Sequence, residues 1–310
     1  MNMVARPIRH MMEYCTLVGL SAGVRLLSVE RAQAAGRRMG RLWYGLDARR
    51  RRVALDNLTM AFDGQKSKSE VESLAREVFE QLGVTASETC LLGSLPKEWL
   101  FEWVSVEGQE HYWKALEAGK GVLILAAHFG NWELLGLVPS FNGHPVGVVA
   151  RTADNPAIER ELTRMRCRFG NRVIPKPEAL RESLRILRAG GAVAILIDQN
   201  VADREGVFVE FFGRPACTTP TMALLALKTD AAVVPTFCVR MADGSHRVFV
   251  EPPVQLERTG DLERDVLVNT QRFTDIVERY VRRYPDHWLW MHRRWKTRPQ
   301  PERAAVEVRE

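Results

Sequence analysis

Cysteine is scarce and scattered in this chain. The five residues, Cys15, Cys90, Cys167, Cys217 and Cys238, are odd in number and contain no Cys-x-x-Cys pair. That spacing excludes a disulfide framework and a cysteine zinc site, and it fits a reducing, cytoplasmic setting. Gly-x-Gly-x-x-Gly is absent. Glu117-Ala-Gly-Lys-Gly121 lacks both the following hydroxyl and the distant glycine of a phosphate loop. His-Glu-x-x-His is absent as well, so no metal and no cofactor is implied. Gly19-Leu-Ser-Ala-Gly23 has the letters of a serine-nucleophile elbow but sits inside a helical pattern, whereas the elbow needs a strand before it. Internal repeats and low-complexity runs are also missing. What remains is an ordinary globular composition, 46% hydrophobic and 26% charged over 310 residues.

Charge is unevenly placed. Residues 1–60 hold eleven arginines against four acids, and residues 279–298 hold six arginines and one lysine against Asp286. The stretch between is net acidic, so two basic ends flank an acidic centre. Such ends suit a phospholipid surface, a phosphorylated glycolipid or an acidic carrier protein. Nucleic acid is not implied, because no recognition motif accompanies the charge. Tyr14 to Val24 is an apolar stretch of eleven residues, short of the roughly 20 of a spanning helix. It reads as an interfacial or short tilted helix, with a core helix as the alternative; Leu26 and Leu27 extend it past Arg25 and leave spanning open. A cleaved signal peptide is disfavoured by the arginine-rich helical pattern that follows. Arg49-Arg50-Arg51-Arg52 after Trp43-Tyr44 reads either as a solvated helix face or as a membrane anchor. Trp288, Trp290 and Trp295 read either as packed or as an interfacial belt.

The periodicity predicts helices over 6–45, 49–62 and 68–93, the last capped by Ser67 or Ser69. From Val104 onward strands and helices alternate. Strands are predicted at 121–127, 145–151, 172–175, 191–198, 231–240 and 246–251, and helices at 108–118, 132–138, 155–169, 177–189, 219–229 and 263–284. The fold class is α/β, with a central, mostly parallel or mixed sheet flanked by helices and an N-terminal helical segment that associates with membrane. The division is 1–105 helical, 106–298 α/β, and 299–310 a flexible tail.

The chemistry concentrates at His128-Phe-Gly-Asn-Trp-Glu133, directly after the buried-strand run Gly121-Val-Leu-Ile-Leu-Ala-Ala127. His128 and Glu133 would lie on different faces of one helix, so they converge only if Gly130 and Asn131 turn the chain. Asn131 can then cap a helix starting at Trp132. The imidazole stands at a strand's carboxyl end, where open α/β sheets place ligands, with a carboxylate to orient it as a general base. A purely structural histidine is the alternative. Arg151, and Asp198 with Gln199, fall at the carboxyl ends of two further strands and share that edge if the strands are parallel. Arg151 can bind a phosphate or carboxylate, or pair with Asp154 or Asp198, with Asp198 as the acid that holds it.

His128-x4-Glu133 resembles the signature of the lysophospholipid acyltransferase superfamily. Arg151-Thr-Ala-Asp-Asn-Pro156, Asp198-Gln199, Phe211-Phe-Gly-Arg214 with Thr218-Thr219, Ala232-Val-Val-Pro235 and the Pro285 to Trp295 segment follow in the order of one branch, the late acyltransferases of lipid A biosynthesis. The apolar N-terminal segment is shorter than is usual in that branch. The resemblance implies that His128 takes a proton from an acceptor hydroxyl and that Glu133 orients and charge-stabilises it. Asn131, Arg151, Asp154, Asn155, Asp198 and Gln199 would contact substrate. The donor would be an acyl carrier protein thioester (or acyl-CoA) and the acceptor a phosphorylated lipid A precursor or similar glycolipid. Transfer would be direct, at the cytoplasmic face of the bacterial inner membrane, with the protein peripheral or anchored by one N-terminal helix. A thioester or ester hydrolase with the same dyad, and a non-catalytic membrane-surface protein, are the competing functions.

Overall fold

The computed structural model describes residues 5–299. The N-terminal part is helical: α1 (Ala5–Arg25), α2 (Val29–Leu46), α3 (Ala48–Ala61), α4 (Lys68–Leu92) and α5 (Lys97–Trp103). The rest runs β1 (Val104–Glu107), α6 (Gln109–Glu117), β2 (Val122–Ala126), α7 (Trp132–Phe141), β3 (Gly147–Ala150), α8 (Pro156–Arg166), β4 (Arg172–Pro175), α9 (Ala179–Arg188) and β5 (Ala192–Leu196). It continues with β6 (Val207–Phe211), β7 (Arg214–Thr218), α10 (Thr221–Thr229), β8 (Ala232–Arg240), β9 (His246–Val250) and α11 (Leu262–Arg283). Of the tail expected over 299–310, residues 300–310 lie outside the described residues.

Seven strands form one sheet in the order β1-β9-β8-β2-β5-β3-β4. β2 pairs in parallel with β5 and β8, and β3 with β4 and β5. Only β8 and β9 run antiparallel, so the sheet is mixed and mostly parallel. The carboxyl ends of β2, β5 and β3 therefore lie on one edge. β2 is buried along its whole length, which is why its sequence is a continuous apolar run. Its side chains still divide by the period of two. Leu123 and Leu125 join Val193, Ile195 and Val233 in a core shared with α3, α4, α10 and α11. Ala126 faces the other way against α5 and α7, and Val122 and Ile124 against α6.

Two local features depart from the sequence reading, and a third decides between two caps it left open. The helix expected over 6–45 is broken after Arg25, where Ser28 caps α2 by accepting from Arg31 N. The pair β6–β7 and the short β1 were not among the predicted strands. The β6–β7 loop is Phe212-Gly213 with both residues at positive φ, and a bulky residue there hides the usual Asn-Gly hairpin signal. Ser67, not Ser69, caps α4, in a reciprocal capping box with Glu70.

Among the described residues no helix is long and apolar enough to cross a membrane. α1 nevertheless leaves Ile8, Met11, Met12, Val18 and Leu20 exposed, and Leu26 after it is 88% exposed. The three tryptophans near the other end are packed rather than interfacial, with Trp288, Trp290 and Trp295 all buried. Trp43 and Tyr44 set their rings edge-on to Phe79, so this aromatic pair also packs inward.

Candidate active site

Gly130 builds the turn that carries His128. Its φ is +56°, and a Cβ added there would meet the Cys238 carbonyl oxygen at 1.8 Å, so only glycine fits. The turn is held from outside as well. Gly130 N donates to His287 O at 2.8 Å, Leu289 N to His128 O at 3.1 Å, and Thr85 Oγ1 to Gly130 O at 3.2 Å. Asn131 is fully buried and accepts from Leu134 N at 2.9 Å, capping α7 as its sequence position suggested.

The imidazole finds its acid on the neighbouring strand. His128 Nδ1 lies 2.9 Å from Asp198 Oδ1, while the His128 backbone N–H and Trp288 Nε1 donate to Oδ2 at 3.0 and 2.8 Å. A carboxylate only accepts, so the proton sits on Nδ1 and the Nε2 lone pair faces outward. Gln199 Nε2 stands 3.2 Å from that lone pair. Burial opposes charge on both partners, but their mutual attraction outweighs it. The Asp198 carboxyl is held down to about 2, and the His128 pKa is raised above 6.5, with Glu133 adding to the pull.

Glu133 is placed differently from the sequence expectation. Its carboxylate takes both arms of Arg166, at 2.8 and 2.5 Å, and makes no hydrogen bond to His128. The first turn of α7 aims it at α8, so the contact assigned to it falls to Asp198. Asp198 in turn holds His128 rather than Arg151. Arg151 pairs with Asp154 at 3.0 Å, and both side chains are mostly exposed. Asn155 is buried, caps α8 by accepting from Ala157 N, and donates to His10 O and Glu13 Oε2.

One cavity of ≈ 420 Å³ joins the pieces. His128, Glu133, Gln199, Arg151 and Arg166 line it together with Ile124, Ala126, Leu135, Val148, Ala194 and Leu196. The apolar members come from one face of β2, β3 and β5 and from α7. Asn131, Asp154 and Asn155 are not in its wall. Trp288 and Arg166 were not singled out as site residues in the sequence. Trp288 stood within a segment that carried the resemblance, whereas Arg166 lay in an ordinary amphipathic helix. No cluster of His, Cys, Asp or Glu able to hold a metal occurs among the described residues.

The arrangement can activate a hydroxyl or a water beside an apolar slot. Comparison with known proteins identifies the chain's relatives. The palmitoleoyltransferase of lipid A biosynthesis from Escherichia coli K12 is 30% identical over 269 residues, covering 86% of this chain and 85% of the relative. The lauroyltransferase of lipid A biosynthesis from the same strain is 27% identical over 264 residues, 84% of each chain. A phosphatidylinositol mannoside acyltransferase of Mycolicibacterium smegmatis is 28% identical over 211 residues, 66% of this chain and 67% of its own. The profile of the bacterial lipid A biosynthesis acyltransferases matches residues 4–297, and the chain therefore belongs to that family and is an O-acyltransferase.

Proposed function

We propose that the protein moves a fatty acyl group from a carrier-protein or coenzyme A thioester to a hydroxyl of a lipid A-type glycolipid. The observation that carries this reading is the His128–Asp198 pair at the head of an apolar cavity. His128 Nε2 accepts the proton of the acceptor hydroxyl as its oxygen attacks the thioester carbonyl. Asp198 holds the ring and stabilises the imidazolium, a general-base arrangement worth about 10²–10⁴-fold. Gln199 and Arg166 are donors in the cavity wall available to the oxyanion; among the described residues Arg166 Nη1 is buried without a partner. Collapse of the tetrahedral intermediate breaks the C–S bond, and the imidazolium returns its proton to the thiolate. The enzyme forms no covalent intermediate. Glu133 anchors Arg166 and adds negative charge near the ring. The acyl chain lies along Ile124, Ala126, Val148, Ala194 and Leu196.

The exposed apolar side chains of α1, together with Leu42 and Leu46, support docking on a bilayer surface. A lipid acceptor would then reach the cavity without leaving the membrane.

Mass spectrometry of detergent-solubilised protein incubated with acyl-carrier-protein thioesters and a lipid A precursor tests the reading. A mass gain of one acyl group on the lipid, absent with His128→Ala, is the expected result. Release of free fatty acid alone would instead identify a hydrolase.

A further inference from the structure

Five cations that the His128 cavity does not use gather in a second place. Arg49 and Arg52 stand one turn apart on α3, and Val53, Asp56 and Met60 continue that face. Opposite runs the segment after Trp290, with Arg293, Lys296 and Arg298 exposed along it. The two walls border an open cleft of ≈ 860 Å³, with Asn57 and Trp295 in its lining. Among the described residues, none of the five cations has a hydrogen-bond or ion-pair partner, and Asp56 is the only carboxylate in the lining. The arginine quartet is thus divided by structure. Arg50 pairs with Asp47 and lies over Trp43, and Arg51 donates to the Tyr44 and Gly45 carbonyls. Arg49 and Arg52 are left to the cleft.

The cleft is built rigidly. Asn57 Nδ2 donates to Trp290 O and His292 O, both at 2.7 Å, locking α3 to the opposite wall. Buried Arg294 donates to Cys217 O and Thr218 Oγ1, which turns its neighbours Arg293 and Lys296 outward. Thr297 and His292 both bond Asn200, which lines the His128 cavity. The segment that walls the cleft is therefore tied by hydrogen bonds to a residue of the other cavity. Convergent, unpaired like charges repel until an anion enters, and guanidinium groups match phosphate oxygens with charge-assisted bonds. A concave recess of this volume suits a compact headgroup better than the surface of a protein.

We propose that the cleft between α3 and residues 293–298 is a phosphate-binding site that seats a phosphorylated sugar of the acceptor and so presents its hydroxyl to His128. This rests on the glycolipid-acceptor reading above. The site would set acceptor affinity, leaving the donor thioester to the other cavity.

The test uses the full chain carrying Arg52→Gln and Arg293→Gln, beside wild type, with a phosphorylated acceptor and the same lipid after phosphatase treatment. Losing two charge-assisted contacts raises the KM for the phosphorylated acceptor about tenfold or more, with the donor KM unchanged. On the phosphatase-treated lipid the variant and wild type converge. Arg52→Lys with Arg293→Lys restores part of the affinity. An unchanged acceptor KM, or an equal rise on both lipids, overturns the proposal. A rise in donor KM instead assigns the cleft to the carrier protein and overturns it too. Calorimetry with inorganic pyrophosphate distinguishes the readings if neither lipid is acylated by wild type. Binding that the double variant loses supports the phosphate site while the acceptor reading fails, and no binding overturns the site itself.

Discussion

Asp198 accepts the Nδ1 proton of His128 at 2.9 Å across 70 residues of chain. Two adjacent parallel strands, β2 and β5, deliver the pair to one edge of the sheet. The same carboxylate also receives the His128 backbone N–H and the Trp288 indole, so the ring's position, tautomer and charge all depend on one buried acid.

Asp198→Asn removes the charge that raises the His128 pKa and leaves the burial that lowers it. The acid limb of kcat/KM therefore moves to lower pH in the variant, and kcat falls by about 10²–10⁴-fold. A pH–rate profile from pH 5 to 9 checks both. An unmoved limb would assign it to another group.

Stability and activity respond oppositely to pH at this site. The folded pKa of His128 is raised, so the stability of its charged pair with Asp198 is fully present below about 6.5. It is lost as pH rises through the folded value, where the ring becomes neutral and, in the proposed mechanism, able to act as the base. Comparing melting temperatures of wild type and His128→Ala over pH 5 to 8 should show a difference that shrinks toward alkaline pH.

A small apolar cavity of ≈ 40 Å³ shares Ile124, Leu135 and Pro139 with the cavity that holds His128. Leu135→Ala should open the partition and shift donor preference toward longer chains, at a stability cost of about 2–5 kcal/mol. Ala194→Leu should fill the slot and shift preference toward shorter ones. Relative kcat/KM across a series of acyl thioesters reads out both. Identical chain profiles in the two variants would place the acyl group elsewhere.

Glu88 is fully buried and joins Arg240, His246, Gln33 and Asn131 behind the turn that carries His128. Arg240 Nε and Nη2 reach its carboxylate at 2.8 and 2.6 Å. Removing one partner strands the other, so Glu88→Ala should lower stability by about 3–5 kcal/mol. Denaturant unfolding measures it.

Gly130→Ala forces a Cβ against the Cys238 carbonyl at a positive φ. The turn must shift, and His128 shifts with it. Loss of activity by at least tenfold is expected even where circular dichroism shows an intact fold, since misplacement by about 1 Å costs on the order of 10²-fold.

Local chemistry made part of this protein legible in its linear order. The apolar run of β2, the glycine and asparagine of the turn and the Ser67 cap each act within a few residues, so their signals stand in one stretch of chain. The edge shared by His128, Arg151 and Asp198 followed from strand ends and the rule for parallel sheets. Partner choice did not. Glu133 lies five positions from His128 yet bonds Arg166, while Asp198 reaches the ring from 70 positions away and is itself held by Trp288, 90 positions further on. Whether Arg50 or Arg52 is free depended on how α3 rolls against its neighbours. The Phe212-Gly213 hairpin was hidden because tertiary packing holds a phenylalanine where local preference favours glycine or asparagine. Sequence determines which segments become strands and helices, because backbone preference and hydrophobic period are local. Which side chains meet is decided by strand order and helix packing, which bring together groups whose separation along the chain carries no trace of their contact.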